Sequence, residues 1–260
     1  MSRGSTAAAS NAMAGFLRAF GADRPAPAMP VGMRVYAVGD IHGRSDLLDR
    51  LLAMILNDAK GFGGRTSLVF LGDYIDRGPD SKGVIERLGR PIPGFSCHFI
   101  RGNHDVAPIE FLRDAAFYSI WRSCGGTETL LSYGVRPPRF ESDVSLRRMQ
   151  QEFEMALPPA HRNFFQALSA AVTIGDYFFT HAGVRPGVAL ERQEREDLMW
   201  IREPFLSADD DFGKVVVHGH APAPHPVRRK NRIGVDTGAY ATGRLSVAVL
   251  QGQDCRFFAT

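Results

Sequence analysis

Cysteine is scarce in this chain: Cys97, Cys124 and Cys255 are the only three among 260 residues. They are odd in number, widely spaced and form no Cys-x-x-Cys pair. That argues against a disulfide framework and for a reducing, cytoplasmic setting. None can found a Cys-x5-Arg thiol-phosphatase loop. Asn103 and Leu130 stand where the arginine would follow Cys97 and Cys124, and Cys255 is too near the end. Long apolar runs are also missing. No stretch reaches the roughly 18 residues that span a bilayer, and no compact apolar core of a secretion signal is expected at the N-terminus. Nor is one sign of charge in excess. The 31 basic and 28 acidic residues leave a net charge of +3, which permits attraction to phosphorylated substrates and does not indicate nucleic-acid binding.

What remains is ordinary globular composition, 44% hydrophobic and 23% charged, in a length that suits one domain with a full core or one domain with an insertion. Residues 1–30 are rich in Ala, Ser, Gly and Pro and read as a flexible N-terminal tail. Within it Met13, Phe16, Leu17 and Phe20 have helical spacing, which suggests a short helix docked on the body or frayed in water. Residues 31–260 read as a single catalytic domain.

From Val35 the pattern alternates. Val35–Val38, Ser67–Leu71 and Ser96–Ile100 read as strands. Between them lie a helix with the stripe Leu47, Leu48, Leu51, Leu52 and Ile55, begun by Ser45 as N-cap, and a second helix containing Lys82–Leu88. Each strand runs into a glycine-flanked phrase: Gly39-Asp40-Ile41-His42-Gly43, Gly72-Asp73-Tyr74-Ile75-Asp76-Arg77-Gly78, and Gly102-Asn103-His104-Asp105. The carboxyl ends of strands are where open α/β sheets place their sites. Residues 105–180 read as a helical insertion, with helices over Phe111–Trp121, over Val144–Leu157 and from Pro158-Pro159 through Leu168, and a break at Gly125-Gly126. Strands return at Tyr177–Thr180, Val215–Val217, Arg232–Val235 and Leu245–Leu250, the last turning into Cys255–Phe258 as a hairpin. Two of these run into further phrases, Thr180-His181-Ala182-Gly183 and Val217-His218-Gly219-His220.

Asp, His and Asn at strand ends form a ligand set for divalent metal ions. Asp40 and His42, two apart, would point to one side and share a metal. Asp73 can bridge two metals with its two oxygens, Asn103 offers a neutral oxygen, and His181 and His220 can complete the second site. Two divalent ions against two carboxylates leave a residual charge of +2 that favours a phosphate dianion. His104, next to Asn103, must point elsewhere and suits a general acid, with Asp76 holding its other nitrogen. Arg77 and Arg202 can clamp phosphate oxygens. Arg101 either clamps phosphate or makes a salt bridge behind the site. Asp209–Asp211 reads as a solvated turn, and Arg228-Arg229-Lys230 with Arg232 as a charged loop.

These phrases, GD-x-HG, GD-x-x-DRG and GNHD followed by HAG and GH, resemble the metallophosphoesterase (calcineurin-like) superfamily. The arginine at position 77 resembles its phosphoprotein phosphatase branch. Trp200-Ile201-Arg202-Glu203 and Asp236-Thr237-Gly238-Ala239 are similar to phrases of bacterial and phage serine/threonine phosphatases. The resemblance implies an α/β (α+β) fold, a two-sheet β-sandwich flanked by helices, with the insertion beside the active site. It implies two divalent metal ions, manganese first with iron, zinc or nickel as alternatives, and direct attack by a bridging hydroxide. The implied ligands are Asp40, His42, Asp73, Asn103, His181 and His220, with His220 preferred to His218. His104 with Asp76 is the implied acid pair, and Arg77 and Arg202 are the implied phosphate contacts. Asp105 stands where eukaryotic members have Glu, and Ala182 replaces a Gly.

The expected activity is hydrolysis of phosphoserine or phosphothreonine in proteins, with a phosphorylated protein or small phosphoester as partner. One alternative is a dinucleoside polyphosphate hydrolase on the same core, with bases stacked on Phe111, Phe117, Tyr118 or Trp121. Another, of a different class, is a catalytically inactive binding protein, although no implied ligand is missing.

Overall fold

The structure, a computed structural model, describes residues 26–260. The helix expected over Met13–Phe20 lies outside them. Of the thirty residues assigned to the tail, 26–30 lie against the body: Met29 is buried and its N–H donates to the Gly252 carbonyl.

Two five-stranded sheets carry the fold. The first contains β1 (Met33–Val38), β2 (Arg65–Phe70), β3 (Phe95–Phe99), β9 (Ser246–Gln251) and β10 (Asp254–Ala259) in the order β10-β9-β1-β2-β3. β1, β2 and β3 are parallel, and β9 and β10 add antiparallel. The second contains β4 (Ala171–Ile174), β5 (Tyr177–Thr180), β6 (Val215–His218), β7 (Val227–Arg228) and β8 (Arg232–Gly234) in the order β4-β5-β6-β8-β7. Its β5, β6 and β8 are parallel.

Alternation along each strand assigns side chains to layers. Val35, Ala37, Val69, Ala248 and Leu250 from the first sheet meet Tyr177, Phe179, Val215, Val217 and Ile233 from the second in a sandwich core. The other face of the first sheet, with Tyr36, Val38, Leu68 and Phe70, is covered by α1 (Ser45–Ala59) and α2 (Ser81–Leu88). The outer face of the second sheet buries Phe178 and Val216 under Leu198 and Phe205. The two-sheet sandwich flanked by helices is therefore as expected.

Ser45 is not the cap of α1. It is the first helical residue, and its hydroxyl donates to Asp80 Oδ2, while Asp80 caps α2 by accepting from the Gly83 N–H. The helix expected over Phe111–Trp121 is broken. α3 (Ala107–Arg113) ends at Asp114, whose backbone is extended and whose side chain accepts from the Ala116 N–H, and α4 (Tyr118–Ser123) starts anew. Asp competes well for nearby backbone donors in non-helical conformations, which ends the helix there. Gly125 in the left-handed region separates α4 from α5 (Gly126–Ser132), a helix the sequence reading did not assign. α6 (Asp143–Ala156) opens with a Ser142–Ser145 capping box, and α7 (Pro159–Ala167) follows. Their inward faces extend the core beneath the first sheet: Phe111, Trp121, Tyr133 and Phe153 pack ring on ring at centroid distances of 5.5–5.9 Å.

Phe153 is fully buried at the centre of that ring cluster. Phe153→Ala is expected to destabilise the protein by about 3–5 kcal/mol through lost transfer energy and a cavity. Urea unfolding measures this, and a loss below about 1 kcal/mol would mean that the cluster does not stabilise the insertion.

Candidate active site

The three parallel strands of the first sheet deliver their phrases to one edge, and β5 and β6 of the second sheet deliver theirs to the same edge. Backbone bonds tie the loops together. The N–H groups of Ile41 and His42 donate to the Asp73 carbonyl, and Gly43 donates to the Tyr74 carbonyl. Asp105 binds the second loop to the third: its carboxylate accepts the N–H groups of Asp73, Tyr74 and Gly102 at 2.8–3.0 Å. Burial, and next the Asp73 charge, push Asp105 up to about 7.

Two groups of donor atoms converge, each within 4.8 Å: His42, Asp73 and His104, and Asp73, His181 and His220. Asp73 belongs to both. Its Oδ2 lies 3.5 Å from His42 Nε2, and its Oδ1 lies 3.5 Å from His181 Nε2. The expected bridging carboxylate thus faces both groups with different oxygens.

The histidines are prepared as ligands. His42 Nδ1 donates to the Ile75 carbonyl and His181 Nδ1 to the Leu71 carbonyl, both at 2.8 Å, so each Nε2 keeps a lone pair. Burial pushes His42 and His220 down to about 3, keeping both rings neutral. Among the described residues, no hydrogen-bond partner meets the buried His220 Nε2. His181 Nε2 and Asn103 Oδ1 face each other at 3.0 Å, two acceptors that a cation would reconcile. Burial and the neighbouring carboxylates of Asp236 and Asp73 raise Asp40, as expected where acids converge. The donor set fits divalent metal.

Asp40 and His42 are not set by the pleat of a strand. Both residues lie beyond the end of β1, and His42 takes a left-handed backbone, so strand alternation does not govern them. Asp40 instead reaches across to the second sheet and accepts the His220 N–H at 3.0 Å.

His104 points away from Asn103, as expected. Its Nδ1 lies 2.7 Å from Asp76 Oδ2. Burial opposes its charge, but the carboxylates of Asp73 and Asp76 outweigh it and raise its pKa. Arg77 lies over the first group, donating to His42 Nε2 at 3.1 Å and to His104 Nε2 at 2.9 Å, with the Tyr240 ring beneath its guanidinium. Arg202 donates to the His220 carbonyl at 3.3 Å.

Other expectations resolve differently. Arg101 makes no salt bridge among the described residues and donates to the Phe165 and Gln166 carbonyls at the end of α7. Arg232 leaves the basic loop and is buried against the carbonyls of Leu206 and Ala208. His218 sits against Phe205 and bonds the Gly219 carbonyl. His161 bonds Tyr133 and is structural. Phe111, Tyr118 and Trp121, offered as base platforms, are core residues.

The sequence reading missed the residues behind Asp76. Trp121 Nε1 and Thr129 Oγ1 both donate to its carboxylate, and Ser81 and Thr129 accept its backbone N–H. A buried indole N–H always asks for an acceptor, but nothing in the spacing of Trp121 names which one.

The family profile of the calcineurin-like phosphoesterases matches residues 33–249. Serine/threonine-protein phosphatase 2 of Escherichia coli (strain K12) is 33% identical over 224 residues, covering 82% of this chain and 90% of that protein. A symmetrical bis(5'-nucleosyl)-tetraphosphatase of Acidovorax sp. (strain JS42) is 35% identical over 155 residues, 59% of this chain. The match spans only 45% of that relative's length. A solved structure of a cold-active protein tyrosine phosphatase superposes with a TM-score of 0.53 at 14% identity, over 90% of this chain and 80% of that one, which shows the shared fold. With the loops, the donor groups and the profile in agreement, the chain belongs to the calcineurin-like phosphoesterases, metal-dependent phosphoester hydrolases.

Proposed function

We propose that the chain is a phosphomonoesterase acting on phosphoserine and phosphothreonine in proteins. The observation that carries this reading is the His104–Asp76 pair, 2.7 Å apart and buried. A serine or threonine alkoxide is a poor leaving group and gains most from a positioned proton donor. A nucleoside polyphosphate leaves as a stable anion and gains little. The burial of Phe111, Tyr118 and Trp121 and the near full-length likeness to the Escherichia coli phosphatase support the same side. The tetraphosphatase likeness keeps dinucleoside polyphosphates as the competing substrate class.

Asp40, His42, Asp73, Asn103, His181 and His220 would hold two divalent ions, manganese first. Such ions neutralise phosphate charge and acidify water. The chain's own residues supply the rest. Arg77 and Arg202 bind phosphate oxygens in charge-assisted bonds. Phosphate, a stronger acceptor than imidazole, draws Arg77 off His104 Nε2 and frees that nitrogen for the leaving oxygen. Once freed, Nε2 takes up a proton from solvent, favoured by the Asp73 and Asp76 carboxylates, and passes it to the departing alkoxide, while Asp76 holds Nδ1 and fixes the ring. The three free cysteines among the described residues suit a cytoplasmic enzyme.

Chelation is expected to abolish hydrolysis of aryl phosphate, and manganese to restore it; full activity after stripping would refute the metal-dependent reading. The ratio of kcat/KM on a phosphothreonine peptide to that on diadenosine tetraphosphate is expected to favour the peptide, and a clear preference for the nucleotide would overturn the substrate assignment. His104→Asn is expected to lower turnover of the peptide by roughly 10²–10⁴ with bound metal unchanged. Loss of metal in that variant would instead make His104 a ligand. A Cβ at Gly219 would collide with Asp40 Oδ1. Gly219→Ala is therefore expected to lower the metal content found by elemental analysis while the melting temperature of the stripped protein stays near that of the wild type.

A further inference from the structure

The helical insertion does more than extend the core. Its α4–α5 corner meets the second glycine-flanked loop at three points. The Gly125 carbonyl accepts the Arg77 N–H. Trp121 Nε1 reaches both oxygens of Asp76, at 2.9 and 3.0 Å. Thr129 Oγ1 donates to Asp76 Oδ1 at 2.7 Å and accepts the Asp76 N–H at 3.0 Å. With Thr129 committed as donor to Asp76, Ser81 supplies the hydrogen of the 2.9 Å bond between the two hydroxyls. Asp76 itself takes a left-handed backbone and has no exposure, so solvent cannot orient its carboxylate.

The geometry points to Trp121 and Thr129 as positioning residues for proton donation, two insertion side chains that aim the Asp76 carboxylate at His104 Nδ1. A carboxylate has two oxygens and can rotate. Three donors at fixed directions, indole, hydroxyl and imidazole, leave it one orientation. That orientation presents Oδ2 to His104 and so turns His104 Nε2 toward the mouth of the site. The indole is itself locked: it packs against the Phe111 and Phe153 rings, and a Cβ at Gly126 would overlap it. The α4–α5 corner thereby sets the aim of His104 through Asp76.

This inference rests on His104 acting as the proton donor, and the experiment separates the two. Trp121→Phe keeps a ring and deletes the N–H. Thr129→Val keeps the shape and deletes the hydroxyl, and Thr129→Ser retains the hydroxyl. Turnover is compared on phenyl phosphate, a poor leaving group, and 4-nitrophenyl phosphate, a good one. With Trp121→Phe and Thr129→Val, kcat on phenyl phosphate is expected to fall about 10-fold each, the scale of one hydrogen bond to a charged group. On 4-nitrophenyl phosphate the fall should be less than about threefold, with KM and bound metal unchanged, and Thr129→Ser should recover most of the loss. In proton NMR spectra of the stripped protein, the low-field imidazole N–H of the His104–Asp76 bond should shift in both variants. Equal losses on the two esters, losses that track melting temperature or metal content, or no loss at all would overturn the inference. His104→Asn run in parallel tells which reading fails. If it does not discriminate between the esters, the proton-donor role falls; if it does while the insertion variants do not, only the positioning role falls.

Discussion

The carboxylate of Asp73 faces two sets of histidines at once, with Oδ2 toward His42 and His104 and Oδ1 toward His181. Every other feature of the site is arranged around that shared anion. Its backbone carbonyl accepts two N–H groups from the first loop, its own N–H is held by Asp105, and its Oδ1 also accepts the His104 N–H. Loops from three parallel strands are thus fastened to one residue. Two sheets can then contribute to one centre, because His181 and His220 from the second sheet close on the same carboxylate from the far side.

This convergence is held against backbone strain. Among the described residues, the non-glycine positions with positive φ are His42, Asp73, Asp76, Arg77 and His220. All five belong to the site. Such conformations cost on the order of 1–3 kcal/mol each and persist only where surrounding structure over-determines them. Here the surroundings are the buried strand ends, the Asp105 carboxylate and the loop-to-loop backbone bonds. The strain therefore marks the site independently of its side-chain chemistry.

The insertion and the sandwich divide the work. The strands and their loops bring the donor groups together, while the insertion fills the space under the first sheet and its α4–α5 corner meets the site at Asp76 and Arg77. In the proposed function, Asp76 supports proton donation and Arg77 binds phosphate. A member of this family could accordingly vary its insertion and alter leaving-group or substrate preference without disturbing the donor groups.

Much of the site is legible from local pattern. Strand alternation, the glycines and the spacing of Asp40, His42, Asp73, Asn103, His181 and His220 are all short-range features, and the three phrases recur at the ends of successive strands. The two-sheet sandwich follows only from the family resemblance, since apolar strands show burial on both faces but not how they pair. What local pattern cannot carry is partnership across long separation. Asp40 accepts the His220 N–H from 180 residues away, in a loop that has left the strand geometry. Arg101 caps a helix 65 residues on, and Arg232 turns inward from a basic run. Trp121 and Thr129 look like core residues in sequence, and only packing shows which acceptor satisfies their buried donors. The sequence by itself determined which chemistry is present, because that depends on residue type and short spacing. The tertiary structure alone decided which groups face which, because a buried polar atom must find a partner and the fold, not the chain order, supplies it.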